Sequence, residues 1–361
     1  MKMDVQKYKD RHLAFWELAD VKSPLIGFAL GAGTDAWSYW QANKAAQILL
    51  NNKIILPAEI EPADFVEEQI RYLELADKID DDVIRTGMPL ASLPWMEAIL
   101  GCKVISTGAH FQSHEILDDP ELLQAIPFDD NNPWVKKYFE FIDVYSKAFG
   151  NRYPVAQSVL RGPSDLACAL LGAEKAAMSL IEAPEVMHRL FDFVTSQIER
   201  FLKLQIDKLP TFSDGYVTGQ YEIWAPKPVI RIQEDFSILF SPKNYKEFLQ
   251  PLDKRLAALS DYTLIHLHSS SLYLIEQFLE ISEIKVFQIT KDPTGVTLDE
   301  MLPALKKIQE SNRPLIVKGE FTKNDIDNLK QNFSTNGLCL QPVVSNINEA
   351  KELLLSLRKW K

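Results

Sequence analysis

The feature that most constrains this chain is a regular alternation of short β-rich runs with long stretches of helical periodicity. The runs PLIGFAL (24–30), VAQSVLR (155–161), DGYVTGQ (214–220), DFSILF (235–240), TLIHLH (263–268), VFQIT (286–290), PLIVKG (314–319) and GLCLQPV (337–343) read as strands. Helical patterns separate them. The clearest is 184–209, where Met187, Leu190, Phe191, Val194, Ile198, Phe201 and Leu202 fall on one face. Pro184 and Glu185 suit its first turn. Later helices are expected at 242–260, 271–283, 297–311, 322–333 and 346–358. Parallel strands need crossover connections, which helices supply. Eight strands, most followed by a helix, therefore predict an α/β chain folded as a (β/α)8 TIM barrel, one domain spanning 1–361. Residues 31–154 are read as a helical insertion covering the barrel mouth, with one β-like stretch, CKVISTGAHF (102–111). An open doubly wound sheet is the rival, but GAGTD (31–35) lacks the third glycine of a dinucleotide-binding loop.

Composition narrows the class. A chain of 361 residues that is 46% hydrophobic can bury a full core. No apolar run approaches the ~20 residues of a membrane span. The segment MKMDVQKYKDRHLAFW is charged throughout, unlike a secretory signal, so the cytoplasm is the expected location. Cys102, Cys168 and Cys339 are odd in number and widely spaced, which argues against a disulfide framework. A net charge of −11 repels phosphate and disfavours nucleic acid or an anionic membrane as partner.

One parity of each barrel strand faces inward, and catalytic groups cluster at the C-terminal strand ends. That parity turns polar here. TLIHLH gives His266 and His268; VAQSVLR gives Gln157 and Arg161; the third run gives Thr218 and Gln220, with Glu222 just beyond. Gln288 and Thr290, then Lys318 and Glu320, then Cys339 and Gln341 follow, and Glu234 and Asp235 open the fourth run. Burying so many polar groups is costly unless they are hydrogen-bonded or hold a ligand. The two histidines project the same way, roughly 6–7 Å apart at Cα. They line the mouth as a hydrogen-bonded pair or converge on a metal. Arg161 either forks a substrate carboxylate or phosphate or braces the insertion. Asp235 and Glu222 are candidate acid/base groups, with loop bracing and solvation as the plain alternatives. Lys318 is a candidate anion binder or a salt-bridge partner. Cys339 reads as a small buried residue. Trp95, beside Pro94 and Glu97, reads as a pocket wall or a simple helix start, and Trp37, Tyr39 and Trp40 as cover for the mouth or as core.

Several of these segments resemble the uroporphyrinogen decarboxylase superfamily. RGPSDLACALLGAEKAAMSLIEAPEVMHRLFDFV (161–194) carries a similar Gly-Pro turn, G-x-E stretch and Pro-Glu helix. DFSILFSPKNYKEFLQPLDKRL (235–256) is similar to that family's acidic residue followed by a Ser-Pro helix. LIHLHSSSLYLIEQFLEI (264–281) resembles its histidine strand, and PWMEAILGC (94–102) its E-A-x-x-G helix. The resemblance runs from about residue 85 onward. It implies a barrel enzyme with one of two chemistries. Cofactor-free tetrapyrrole decarboxylases of porphyrin metabolism carry an arginine-rich segment, where this chain has WELADVKSPLIGFAL (16–30). Zinc-dependent methyltransferases, which work with corrinoid proteins, bind the metal through an H-x-C strand motif and a later cysteine. His266 matches the first position, while His268 stands in for the cysteine.

The resulting expectation is a methyltransferase-type enzyme with zinc on His266 and His268. Asp235, His266, His268 and Glu222 would be catalytic, and Arg161, Gln220, Gln288, Lys318 and Trp95 would bind substrate. Expected partners are a small-molecule substrate, a corrinoid protein and, for assembly, a second copy in a homodimer. The alternatives are a decarboxylase without cofactor, in which Arg161 and Lys318 anchor carboxylates and Asp235 stabilises positive charge, and a non-catalytic binding barrel.

Overall fold

The computed structural model describes residues 5–31, 43–117 and 129–360. Trp37, Tyr39, Trp40 and most of GAGTD lie outside the described residues. In chain order the strands are β1 (Leu25–Ile26), β2 (Ala29–Leu30), β3 (Ile54–Ile55), β4 (Lys103–Ser106), β5 (Phe111–His114), β6 (Tyr216–Val217) and β7 (Trp224–Ala225). They continue as β8 (Val229–Gln233), β9 (Tyr262–His268), β10 (Val286–Lys291), β11 (Leu315–Gly319) and β12 (Leu338–Val344). The central sheet has seven strands, ordered β1-β12-β11-β10-β9-β8 with β2 also on β12, and every pairing in it is parallel.

Helices Leu298–Glu310, Lys323–Asn332 and Ile347–Leu357 follow β10, β11 and β12 as predicted. Thr297 and Thr322 start the first two with capping boxes. The long helix Pro184–Lys208 buries Met187, Leu190, Phe191, Val194, Ile198, Phe201 and Leu202. Among the described residues no helix is long and apolar enough to cross a membrane.

This is an α/β fold of TIM-barrel-like form, but its hydrogen-bonded ladder does not close. The gap between β1 and β8 is spanned by segments that lie extended yet share few ladder bonds. The Asp82 amide donates to the Ile26 carbonyl at 2.7 Å. Gly87 and Val155 form a lone parallel bridge, and the Gln157 side chain donates to the Val229 carbonyl at 2.5 Å. VAQSVLR is thus no regular strand. The segment around 82–87, absent from the predicted strand set, lies against β1.

Two further runs need correction. DFSILF is not a strand: residues 235–239 coil as a 3-10 turn, and the strand is VIRIQ just before it. Asp165 accepts from the Phe236 amide at 2.9 Å, which pulls the chain out of extension. DGYVTGQ contributes only β6, an antiparallel partner of β7 outside the central sheet. Ser213, Asp214 and Glu222 take positive φ there, so the chain turns back on itself. Within the insertion the β-like stretch CKVISTGAHF carries β4, which pairs antiparallel with β3 and β5.

The floor of the sheet is apolar. Phe15, from helix Val5–Trp16, packs with Leu25, Val229, Leu264, Val286, Ile316 and Cys339. His12 on the same helix is fully buried and spends both ring nitrogens. Nδ1 accepts from the Trp224 amide at 2.8 Å, and Nε2 meets the Asp82 carbonyl at 2.7 Å.

Candidate metal centre

The correction to β8 moves Asp235 from a strand start to the C-terminal edge of the sheet. It stands one residue beyond Glu234 and beside β9, where Gln233 is in register with His266. His266 is in turn in register with Gln288, and His268 with Thr290. The three side chains Asp235, His266 and His268 therefore meet at one place. Their ligand atoms all lie within 4.8 Å of one another.

Hydrogen bonds at the far nitrogens fix both rings. His268 Nδ1 is 2.6 Å from Asp292 Oδ1, and the other oxygen of Asp292 accepts from the Ser269 amide at 3.1 Å and its hydroxyl at 2.6 Å. His266 Nδ1 contacts Gln288 Oε1, which also accepts the Tyr221 hydroxyl at 2.6 Å. Gln288 is oriented by donating to Thr290 Oγ1 at 3.1 Å. Its amide oxygen therefore faces His266, and the imidazole must donate from Nδ1. Asp292 demands the same of His268. Both Nε2 atoms are then left with lone pairs aimed inward, 3.3 Å apart. Asp235 Oδ1 lies 3.8 Å from one and 3.7 Å from the other, and it is buried with no hydrogen-bond partner. Three acceptors converge with no donor among them. A proton, a cation or a donating water resolves that arrangement.

Electrostatics follow the same division. The hydrogen bond to Asp292 raises the His268 pKa. Burial pushes Asp292 up, but its bonds from His268 and Ser269 outweigh that and hold it at about 2. His266 is held well below the usual histidine value by burial first and by Arg231 second. Burial raises Asp235, opposed by His268, Arg231 and Arg161. The other carboxylate oxygen of Asp235 accepts from Gln233 at 2.6 Å. Gln233 also donates to Asp165 at 3.1 Å, and burial carries Asp165 up to about 7.

The remaining predicted residues fall around this centre in distinct roles. Arg161 pairs with the buried Glu97 through Nε at 3.0 Å, leaving its side chain 44% exposed. Both border a cavity of about 300 Å³ that reaches Gln233. Trp95 also borders it but is fully buried, with its indole donating to the Leu90 carbonyl at 2.8 Å and its ring edge-on to Trp134, Tyr138 and Phe141. Lys318, Gln220 and Gln341 line a second cavity with Thr86 and Met88. Glu222 borders that cavity too, yet its carboxylate is committed to Arg85, 2.5 Å away, in a buried cluster that includes Asp81. It stands apart from the two histidines. Cys339 lies in the apolar floor with its thiol pushed well up by burial, and it is not among the three converging ligand residues.

Sequence reading missed Asp292, Tyr221 and Arg231. Asp292 follows a strand whose C-terminal end, Thr290 and Lys291, was in view, and an acid just past a strand end is a usable signal. Tyr221 has none, because it lies just past DGYVTGQ (214–220), a run read as a strand of which only Tyr216–Val217 forms one.

Comparison with protein-family models and with curated proteins finds no match. Among solved structures the chain is similar to a methyltransferase from Methanosarcina mazei. That likeness has a TM-score of 0.67 at 14% sequence identity and covers 98% of each chain. At that identity it establishes a shared fold along the whole length.

Proposed function

We propose that this chain is a methyltransferase-type enzyme whose catalytic metal, zinc, is held by His266, His268 and Asp235. The observation that carries the reading is the convergence of two Nε2 lone pairs and the unpartnered Asp235 oxygen. Imidazole and carboxylate are both good zinc ligands, and a three-ligand site leaves a position for substrate. Each imidazole is also backed by an acceptor on its far nitrogen, the usual support for a ligating histidine. The set differs from the histidine–cysteine pattern of the resembling methyltransferases, because an imidazole and a carboxylate take the place of sulfur. The full-length likeness to a methyltransferase fold supports the same reading.

Zinc at such a site acts as a Lewis acid and lowers the pKa of a bound thiol or water. The chain's own residues do the rest. Asp292 and Gln288 hold the rings in the tautomer that offers Nε2. Gln233 holds Asp235 by one oxygen and frees the other. Arg161, Gln220 and Lys318 border the two flanking cavities and orient the small-molecule substrate. A corrinoid protein is the proposed methyl donor, taken from the resemblance.

Elemental analysis of freshly purified protein tests the reading. One zinc per chain, lost in a His266→Ala/His268→Ala double variant that keeps its fold, is the expected result. Metal-free protein that releases CO2 from a porphyrinogen would overturn it in favour of a decarboxylase.

A further inference from the structure

Arg231 projects from β8 one inward position below Gln233. It sits in the same register row as Leu264 of β9 and Val286 of β10, both members of the apolar floor. The residue is only 6% exposed. Nη1 donates to Gln233 Oε1 at 2.8 Å, whereas Nε and Nη2 are buried with no hydrogen-bond partner. A desolvated guanidinium with two idle nitrogens is strongly unfavourable, and folds keep such groups where a ligand completes them.

No acid among the described residues fills the gap. Asp235 turns one oxygen to Gln233 and the other to the imidazoles. Asp165 is taken up by Gln233, Gly162 and Phe236. Glu234 faces the Ser164 amide instead. The guanidinium lies 5.9 Å from the Tyr221 ring, and the Lys318 ammonium lies 6.0 Å from the same ring. Arg231 pulls the Tyr221 pKa down against burial, by its charge first and by a side-chain interaction with the phenol second. Two cations thus share one aromatic neighbour next to the histidine centre. The cavity beside them carries another idle atom, the buried Oε1 of Gln220.

The two unpartnered nitrogens form the side-on edge of the guanidinium. Their N–H bonds run parallel and match two oxygens of one oxyanion. We propose that Arg231 is an oxyanion-binding residue. Its Nε–Nη2 edge takes a carboxylate, sulfonate or phosphate group of the substrate, and the remainder of the molecule reaches the His266–His268 centre. The binding half of this proposal does not depend on a metal, so its failure and that of the zinc reading are separable.

The test uses full-length protein stripped of metal with a chelator. Acetate, methanesulfonate and inorganic phosphate are titrated by calorimetry at constant ionic strength. At least one binds saturably at one per chain, and the one that binds most tightly identifies the class. Arg231→Gln weakens that binding at least tenfold, Arg231→Lys weakens it less, and the surface control Arg152→Gln changes it by under twofold. A stability arm guards against misfolding. In anion-free buffer Arg231→Met raises Tm, because it removes an unpaired buried charge and keeps the volume. Absence of saturable binding to the wild-type protein would overturn the proposal. So would equal binding by Arg231→Gln, or a fall in Tm for Arg231→Met.

Discussion

The Nε2 atoms of His266 and His268 stand 3.3 Å apart, each with its other ring nitrogen already committed. Two neutral imidazoles do not hold that approach, with Asp235 Oδ1 beside both, unless a proton, a cation or a hydrogen-bond donor sits between them. Asp235→Asn should therefore cut zinc affinity by more than the ~10–100-fold typical of an outer partner. Cys339→Ser should leave it unchanged. Chelator competition measures both, and a large effect of Cys339→Ser would contradict the assigned ligand set.

In the proposed zinc site Asp292 would act on the metal through His268, whose Nδ1 it contacts at 2.6 Å. Asp292→Asn keeps the shape but weakens the acceptor for His268 Nδ1–H. Zinc affinity should fall about 10–100-fold, while the melting temperature of the metal-free protein moves little. Unchanged affinity in the same competition assay would remove Asp292 from the site.

Arg85 is fully buried and joins Asp81 and Glu222 at 2.5 Å each. Arg85→Ala strands two buried carboxylates, a change that costs about 3–5 kcal/mol. Urea denaturation should show a matching drop. A variant as stable as the parent would show that Glu222 is free to serve in chemistry.

Gly162 packs against β8 so tightly that a Cβ there would lie 1.5 Å from the Gln233 carbonyl oxygen. The obstacle is backbone, which cannot rotate away. Gly162→Ala should destabilise the protein by about 3 kcal/mol, at the upper end of overpacking effects. Because Gln233 holds Asp235, any folded fraction should also bind zinc more weakly.

Burial lowers the His12 pKa from 6.5 to about 4. A lowered folded pKa means the unfolded chain takes up the proton first. The stabilising contribution is whole above pH 6.5 and is lost as the pH falls toward 4, up to about 3 kcal/mol in all. Comparing wild type with His12→Gln across that window should show the stability gap narrowing as acid is added. A gap independent of pH would mean that His12 takes up its proton at the same pH in the folded and unfolded chain.

The sequence made the last four central strands and their helices legible, because those strands alternate cleanly and the helices start with Thr297 and Thr322 caps. The His266–His268 pair came with them, since parity along one strand suffices to align two side chains. The arc between β1 and β8 was not legible. Its segments are extended without regular ladders, and VIRIQ and DFSILF offer similar β-rich composition while only the first is a strand. That choice depends on Asp165 capturing the Phe236 amide, a contact between residues far apart in the chain. Cross-strand partners such as Asp292, Gln288 and Tyr221 depend on register, which one strand read alone does not contain.

β1 finds its ladder partner far along the chain. Leu25 and Ile26 pair with Cys339 and Leu340, and the Thr335 hydroxyl donates to the Val21 carbonyl across 314 positions. Helix Val5–Trp16 likewise docks on Trp224 through His12 and Trp16. During synthesis Phe15 and β1 must therefore wait, uncovered, until residues 335–340 have left the ribosome. Such distant pairings are slow to form and leave sticky intermediates. A chain stitched in this way gains its central sheet only when those distant segments meet.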